Sequence, residues 1–139
     1  MLFTLLKRFI IAYWIAIFWT ALIVILSSMP SKDLNRLNIW EILHIDKMAH
    51  FGIYFLYTYI LLNGFHRFFE TTPRLKIFIF CIVFSTLFGI GMEFLQKIYF
   101  PDRSAEIWDI VANTTGAISG GLLYKKLNNL LVKIYHSVF

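Results

Sequence analysis

Four apolar segments alternate with short polar connections along this chain of 139 residues. They predict helices over about residues 9–26, 46–65, 77–96 and 107–124. A helix of about 18–20 residues rises roughly 27–30 Å, which is close to the thickness of the hydrocarbon core of a bilayer. The 3 prolines all fall between these segments, as expected if the segments are helical. The pattern therefore predicts an all-α fold: a four-transmembrane-helix bundle forming a single domain over residues 1–139.

The first connection carries a weaker helical pattern. Leu34, Leu37, Trp40 and Leu43 recur at helical spacing, and Ser31 precedes them as a candidate N-cap. A short interfacial helix fits this pattern, with Trp40 at the level of the lipid headgroups. An irregular loop fits it equally well, because the polar face is weak.

The composition also indicates an integral membrane protein. Hydrophobic residues make up 59% of the chain and charged residues 15%, whereas soluble domains are usually about half apolar and a quarter charged. The net charge of +5 fits an anionic lipid surface, and we expect no nucleic-acid partner. With Cys81 as its single cysteine, the chain has no internal disulfide and no thiolate metal cluster. We predict neither a metal nor another cofactor.

The distribution of charge predicts the orientation in the membrane. One side has eight basic residues and one acidic residue, Glu70, while the other side has five basic and seven acidic residues. The positive side should be cytoplasmic, so both termini are expected inside a bacterial cytoplasmic membrane. The basic residues on that side are Lys7, Arg8, Arg67, Arg74, Lys76, Lys125, Lys126 and Lys133.

Polar groups converge on the opposite, outer side, where each buried charge needs compensation. They begin the second and fourth predicted helices, end the third, and occupy the turn between the third and fourth. Spacing aligns them, since Asp46 and His50 are four residues apart, as are Asp109 and Asn113. We predict a ligand-binding site formed by Asp46, Lys47, His50, Glu93, Gln96, Arg103, Asp109 and Asn113.

Each of these groups also has a structural interpretation. Glu93 and Arg103 can form an ion pair that fixes the hairpin. His50 can hydrogen-bond within or between helices, and Asn113 can join two helices. The Asp-x-x-x-His and Asp-x-x-x-Asn patterns occupy matching places in the two hairpins, as an internal duplication would produce.

Two stretches resemble the VanZ-like family, which is named for a protein associated with low-level resistance to the glycopeptide teicoplanin. They are DKMAHFGIYFLY at 46–57 and the segment from Glu93 to Gly120. The motifs are Asp-Lys-x-x-His, Glu-x-x-Gln, Pro-x-Arg, Asp-x-x-x-Asn and Gly-x-x-x-Gly. In this chain they fall on Asp46, Lys47, His50, Glu93, Gln96, Pro101, Arg103, Asp109, Asn113, Gly116 and Gly120. The resemblance implies a small multi-span bacterial membrane protein with no settled biochemical activity.

Three functions stay open from the sequence. The first is binding of a membrane lipid, a lipid-linked envelope precursor or a glycopeptide-type ligand at the outer face, with Lys47, His50 and Arg103 holding an anionic group. The second is an intramembrane enzyme in which His50 and Glu93 are the candidate catalytic acid and base. A metal held by His50, Glu93 and Asp109 is disfavoured, because there is a single candidate histidine. The third is a purely structural polar network. A homo-oligomer is compatible with each of them.

Overall fold

The computed structural model describes residues 2–28, 45–69, 71, 73–99 and 107–138, and nearly all of these residues are helical. The helices are α1 (Leu2–Ser27), α2 (Ile45–Phe68), α3 (Arg74–Tyr99) and α4 (Ile107–Val138). No strand occurs in these ranges, so the predicted all-α class is confirmed for them. The predicted interfacial helix and Arg103 both lie outside the described residues.

Two helices extend well beyond the predicted apolar segments. α1 begins at Leu2 and therefore includes Lys7 and Arg8, and α4 continues from residue 124 to Val138 as one helix. Polar residues end an apolar segment, but they need not end a helix, because Lys and Arg have high helix propensity. The chain has no proline between residue 102 and its end that would interrupt α4.

By length and composition, α1 over Phe3–Ser27 and α3 over Arg74–Tyr99 could each cross a membrane. Within the described ranges, α2 and α4 do not meet the same test. These two helices are less apolar because each carries charged and amide side chains toward both of its ends. Large apolar side chains are exposed on several helices, among them Trp14, Phe18, Phe94 and Leu122.

α2 is the central helix and packs against the other three. Its most extensive contact is with α4, and the two helices run in the same direction. Gly116 and Gly120 of α4 lie directly on the backbone carbonyl groups of Phe51 and Phe55 of α2. A side chain at either glycine would overlap these carbonyls, so the predicted Gly-x-x-x-Gly pattern allows the two backbones to approach closely.

Hydrogen bonds and ring contacts fix α1 and α3 against α2. The indole Nε1 of Trp19 donates to the carbonyl of Ile53 at 3.1 Å. On the other side of α2, the ring of Tyr54 packs against Gly89 of α3, and the Phe65 and Phe80 rings meet at 5.0 Å. α2 and α3 are therefore antiparallel, and the start of α2 lies beside the end of α3.

Candidate functional site

The first turns of α2 and α4 and the last turns of α3 meet at one end of the bundle. The structure therefore brings together six of the predicted site residues, while Gln96 turns to α1 and Arg103 lies outside the described ranges. The six residues, which we call the polar cluster, are Asp46, Lys47, His50, Glu93, Asp109 and Asn113.

Lys47 forms two ion pairs, and the one with Asp109 joins α2 to α4. Its Nζ atom lies 3.1 Å from Oδ2 of Asp46 and 3.0 Å from Oδ1 of Asp109. Each aspartate is in the first turn of its helix, where the helix dipole favours a negative charge. Asp109 is nearly buried, and a buried charge is tolerated only when it is compensated, so Lys47 is a structural partner of Asp109.

His50 connects α2 to both α3 and α4. Its Nδ1 atom lies 3.1 Å from Oδ1 of Asn113 and 3.7 Å from Oε1 of Glu93. Asn113 in turn donates from Nδ2 to the same Glu93 oxygen at 3.4 Å. With its oxygen facing His50 and its nitrogen facing Glu93, the Asn113 amide accepts from Nδ1–H and donates to the carboxylate. The other ring nitrogen, Nε2, then faces Asp46 Oδ1 at 3.6 Å.

The cluster is closed at one end and open at the other. The Glu93 side chain is 3% exposed, that of His50 19%, and that of Asp46 44%. The exposed fraction of the side chains therefore rises from the buried carboxylate of Glu93 to the exposed carboxylate of Asp46. A molecule approaching this end of the bundle would therefore meet Asp46 first and Glu93 last.

Gln96 lies beside the cluster and fastens α3 to α1. Its Nε2 atom donates to the backbone carbonyl of Ser27 at 3.0 Å. That carbonyl is in the last turn of α1, where no further helical turn supplies a donor. Gln96 thus caps the C-terminal end of α1 from a neighbouring helix. This hydrogen bond explains why its side chain is buried, and no ligand is needed to explain it.

Three side chains have the donor types and spacing of a metal site. One ligand atom from each of Asp46, His50 and Asp109 lies within 4.8 Å of the others. This set differs from the one weighed on sequence grounds, because Asp46 takes the place of Glu93. Lys47 already places a positive charge beside two of the three ligands. A divalent cation would have to displace that ammonium group.

The charges favour one class of ligand. The polar cluster contains three carboxylates and one lysine, and the lysine is held by two of those carboxylates. Such a site suits an ammonium group better than a phosphate. The separation of 3.7 Å between His50 Nδ1 and Glu93 Oε1 is too long for a hydrogen bond, so Asn113 connects the two side chains.

Sequence reasoning identified the members of the cluster but not all of their partners. The contact of Gln96 with the carbonyl of Ser27 was missed, because helical spacing does not indicate which neighbouring helix Gln96 faces. The proposed ion pair between Glu93 and Arg103 stays a prediction, because Arg103 lies outside the described residues. The contact of Lys47 with Asp109 could not be read from spacing, since 62 positions separate them in the chain.

Comparison with known proteins gives a family. The family model for VanZ/LLP1 matches residues 3–132, which is nearly the whole chain. Neither the curated proteins nor the solved structures contain a match. The match includes every residue of the polar cluster, together with Gln96 and the two glycines of α4. The chain therefore belongs to the VanZ/LLP1 family.

Proposed function

We propose that this protein spans the bacterial cytoplasmic membrane four times and that its polar cluster binds the headgroup of an envelope lipid or lipid-linked precursor from the outer side. The observation that carries the proposal is the exposure gradient of the cluster. Charged side chains that served only to hold helices together would be expected to be covered throughout, whereas this cluster opens at Asp46.

The four spans are supported by helix length and by the apolar surface. α2 has 24 residues and α4 has 32, so they reach roughly 36 and 48 Å, more than a bilayer core requires. Exposed large apolar side chains occur on all four helices, among them Trp14, Leu56, Phe94 and Leu122. Soluble monomers rarely expose continuous apolar surface on this scale, whereas a lipid environment favours it. The acidic residues of α2 and α4, Asp46 and Asp109, lie at the cluster end, where Lys47 compensates for them.

The distribution of basic residues supports the orientation. Arg67, Arg74, Lys125 and Lys126 lie toward the end of the bundle opposite the cluster. Lys and Arg favour the cytoplasmic side of bacterial membrane proteins. The polar cluster consequently faces outward, where envelope lipids and their polar derivatives are presented.

The acidic character of the cluster favours a ligand with an ammonium group. An ethanolamine headgroup, or an amino group of a lipid-linked precursor, can reach the exposed carboxylate of Asp46. Ammonium groups form charge-assisted hydrogen bonds with carboxylates. The acyl chains of such a lipid would lie along the apolar surface of the bundle.

Native mass spectrometry of the purified protein tests this proposal directly. The protein is incubated with equimolar phosphatidylethanolamine and phosphatidylglycerol, and retention of each is measured. We expect preferential retention of phosphatidylethanolamine, reduced in D46N and unchanged in L122A, a lipid-facing control on α4. Equal retention of the two lipids by the unmodified protein would contradict the proposal.

A structural role is the second candidate, and the connections between helices favour it. Lys47 joins α2 to α4, and Asn113 joins both His50 and Glu93 to α4. If this were the whole role, E93Q and H50Q would lower Tm in detergent and reduce lipid retention in proportion. Full Tm with lost retention would instead support the binding site.

The family also suggests a link to glycopeptide resistance. We regard resistance as a by-product of an envelope role. A protein that binds an envelope lipid or precursor can alter how much glycopeptide target is exposed. This part of the proposal rests on family membership, whereas the headgroup site rests on the geometry of the polar cluster.

A further inference from the structure

Two buried hydroxyl groups, on Thr58 and Ser85, lack the bond that three other helical hydroxyls make. Thr20, Ser28 and Thr115 each donate to the carbonyl four residues earlier, at 2.7, 2.7 and 2.8 Å. Such bonds are the usual solution for a hydroxyl on a helix. Thr58 of α2 and Ser85 of α3 are fully buried, yet neither hydroxyl has a hydrogen-bond partner among the described residues.

The register of α2 and α3 places these two residues at the same level of the bundle. Tyr54 packs against Gly89, and Thr58 and Ser85 lie one helical turn further along from that contact in their antiparallel helices. Four residues of helix rise about 6 Å. The two unpartnered hydroxyls are therefore at matching depths on neighbouring helices.

This level lies about two helical turns further into the bundle than the polar cluster. Ser85, Gly89 and Glu93 follow one another at intervals of four residues along α3, so they share a stripe of the helix. Below them, Leu62 and Cys81 are fully buried. Apolar side chains thus follow the two hydroxyls on the side away from the cluster.

We propose that Thr58 and Ser85 together bind a buried water molecule, one helical turn further into the bundle than the contact between Tyr54 and Gly89. Water is the fitting ligand because both residues are completely enclosed and each can donate and accept. Buried waters usually make about three hydrogen bonds to groups that otherwise lack partners. The inference is independent of lipid binding, since both hydroxyls are fully buried inside the bundle.

Apolar substitutions distinguish a bound water from two unpaired hydroxyls by the sign of the change in stability. Removing a hydroxyl that has no partner relieves a desolvation penalty, so T58V and S85A should then raise Tm. If the hydroxyls share a water, each single substitution leaves the water and the other hydroxyl underbonded, and Tm falls. The double variant removes the whole arrangement and should lower Tm by less than the two single variants combined.

The experiment is thermal unfolding in one detergent of the full-length protein, T58V, S85A and the double variant. T115V is the matched control, because its hydroxyl is on an exposed face and bonds to its own helix. We expect lower Tm in both single variants, a less than additive loss in the double variant, and little change in T115V. A crystal structure of the protein in a lipid phase should show water density between Thr58 and Ser85.

Three outcomes would overturn the proposal. Unchanged or raised Tm in either single variant would show that no water is lost. Additive losses in the double variant would show that the two hydroxyls do not share a ligand. A well-resolved structure with no density at this level would contradict the site directly. Lipid retention measured on the same variants separates this result from the proposed headgroup site, which predicts no change in it.

Discussion

His50 and Asn113 contact each other from equivalent positions on two parallel helices. His50 follows Asp46 by four residues at the start of α2, and Asn113 follows Asp109 by four residues at the start of α4. Nδ1 of His50 lies 3.1 Å from Oδ1 of Asn113. The last residues of the two matching sequence patterns are thus in direct contact. This contact is possible because α2 and α4 approach closely where the glycines of α4 line their crossing.

Replacing Asn113 with alanine should destabilise the bundle. Asn113 is buried and its amide links His50 to Glu93, so N113A leaves both without this partner. A buried group left without its hydrogen bond costs about 1–3 kcal/mol. We expect a clear loss of Tm in detergent. N129A, on an exposed part of the same helix, is the control. An equal Tm in the two variants would show that the hydrogen bonds of Asn113 do not stabilise the bundle.

Substitution of Gly116 should be far more damaging than substitution of a glycine with free space around it. A Cβ at residue 116 would overlap the carbonyl oxygen of Phe51 and lie 3.0 Å from its carbonyl carbon. Because this neighbour is backbone, α2 and α4 must move apart in G116A, and His50 loses Asn113. We expect a lower Tm and weaker lipid retention.

The control for this prediction is Gly91, where an added Cβ would meet nothing within 4 Å. Alanine is favoured over glycine in a helix by up to about 1 kcal/mol, so G91A should equal or exceed the original Tm. A similar Tm for G116A and G91A would mean that α2 and α4 can move apart at their crossing without loss of stability.

The members of the polar cluster could be predicted from sequence because charges in apolar segments are rare and costly. Asp46, Glu93 and Asp109 stand out for that reason alone. Their pairing could not be predicted, because it depends on which faces of the helices meet. Lys47 was expected to be available to an anionic ligand, yet it lies between two carboxylates.

Helix ends illustrate a second limit. The fourth helix was predicted to end near residue 124, whereas α4 continues to Val138. Hydrophobicity reports where a helix leaves an apolar environment, whereas helix termination depends on proline, glycine and capping residues. Lys125 and Lys126 end the apolar segment, but they do not end the helix.

Removal of the Lys47 charge should turn the cluster into a metal site. K47M retains much of the side-chain length but leaves Asp46, His50 and Asp109 without the ammonium group. Zinc binds histidine nitrogen and carboxylate oxygen at about 2.0–2.2 Å. We expect added ZnCl2 to raise the Tm of K47M and to leave that of the original protein nearly unchanged.

K126M removes a lysine from the exposed surface of α4 and serves as the control for charge alone. A stabilisation by zinc that is equal in the original protein and in K47M would show that Lys47 does not compete with the cation. Chelation with EDTA should reverse the shift in K47M, since a ligand that binds only the folded state stabilises it by mass action.

The orientation predicts which end of the bundle is reached from outside an intact cell. Ser28 is exposed just beyond α1 at the cluster end, and Lys126 is exposed toward the opposite end. A membrane-impermeant maleimide should label S28C in intact cells and K126C only after permeabilisation. The native Cys81 is buried, so it can be retained as an internal control that stays unlabelled. Labelling of K126C alone in intact cells would place the polar cluster on the cytoplasmic side.

The link to glycopeptide resistance can be tested against the polar cluster itself. If the polar cluster binds an envelope lipid or precursor, expression of the protein in a susceptible Gram-positive host should raise the minimum inhibitory concentration of teicoplanin. D46N should abolish this increase, because Asp46 is the exposed carboxylate of the cluster and its loss need not disturb the buried members. L122A should retain the increase, since Leu122 faces away from the core. The comparison requires equal amounts of each variant in the membrane. If D46N and the original protein then gave the same resistance, the polar cluster would not be responsible for resistance, even if lipid retention depends on Asp46.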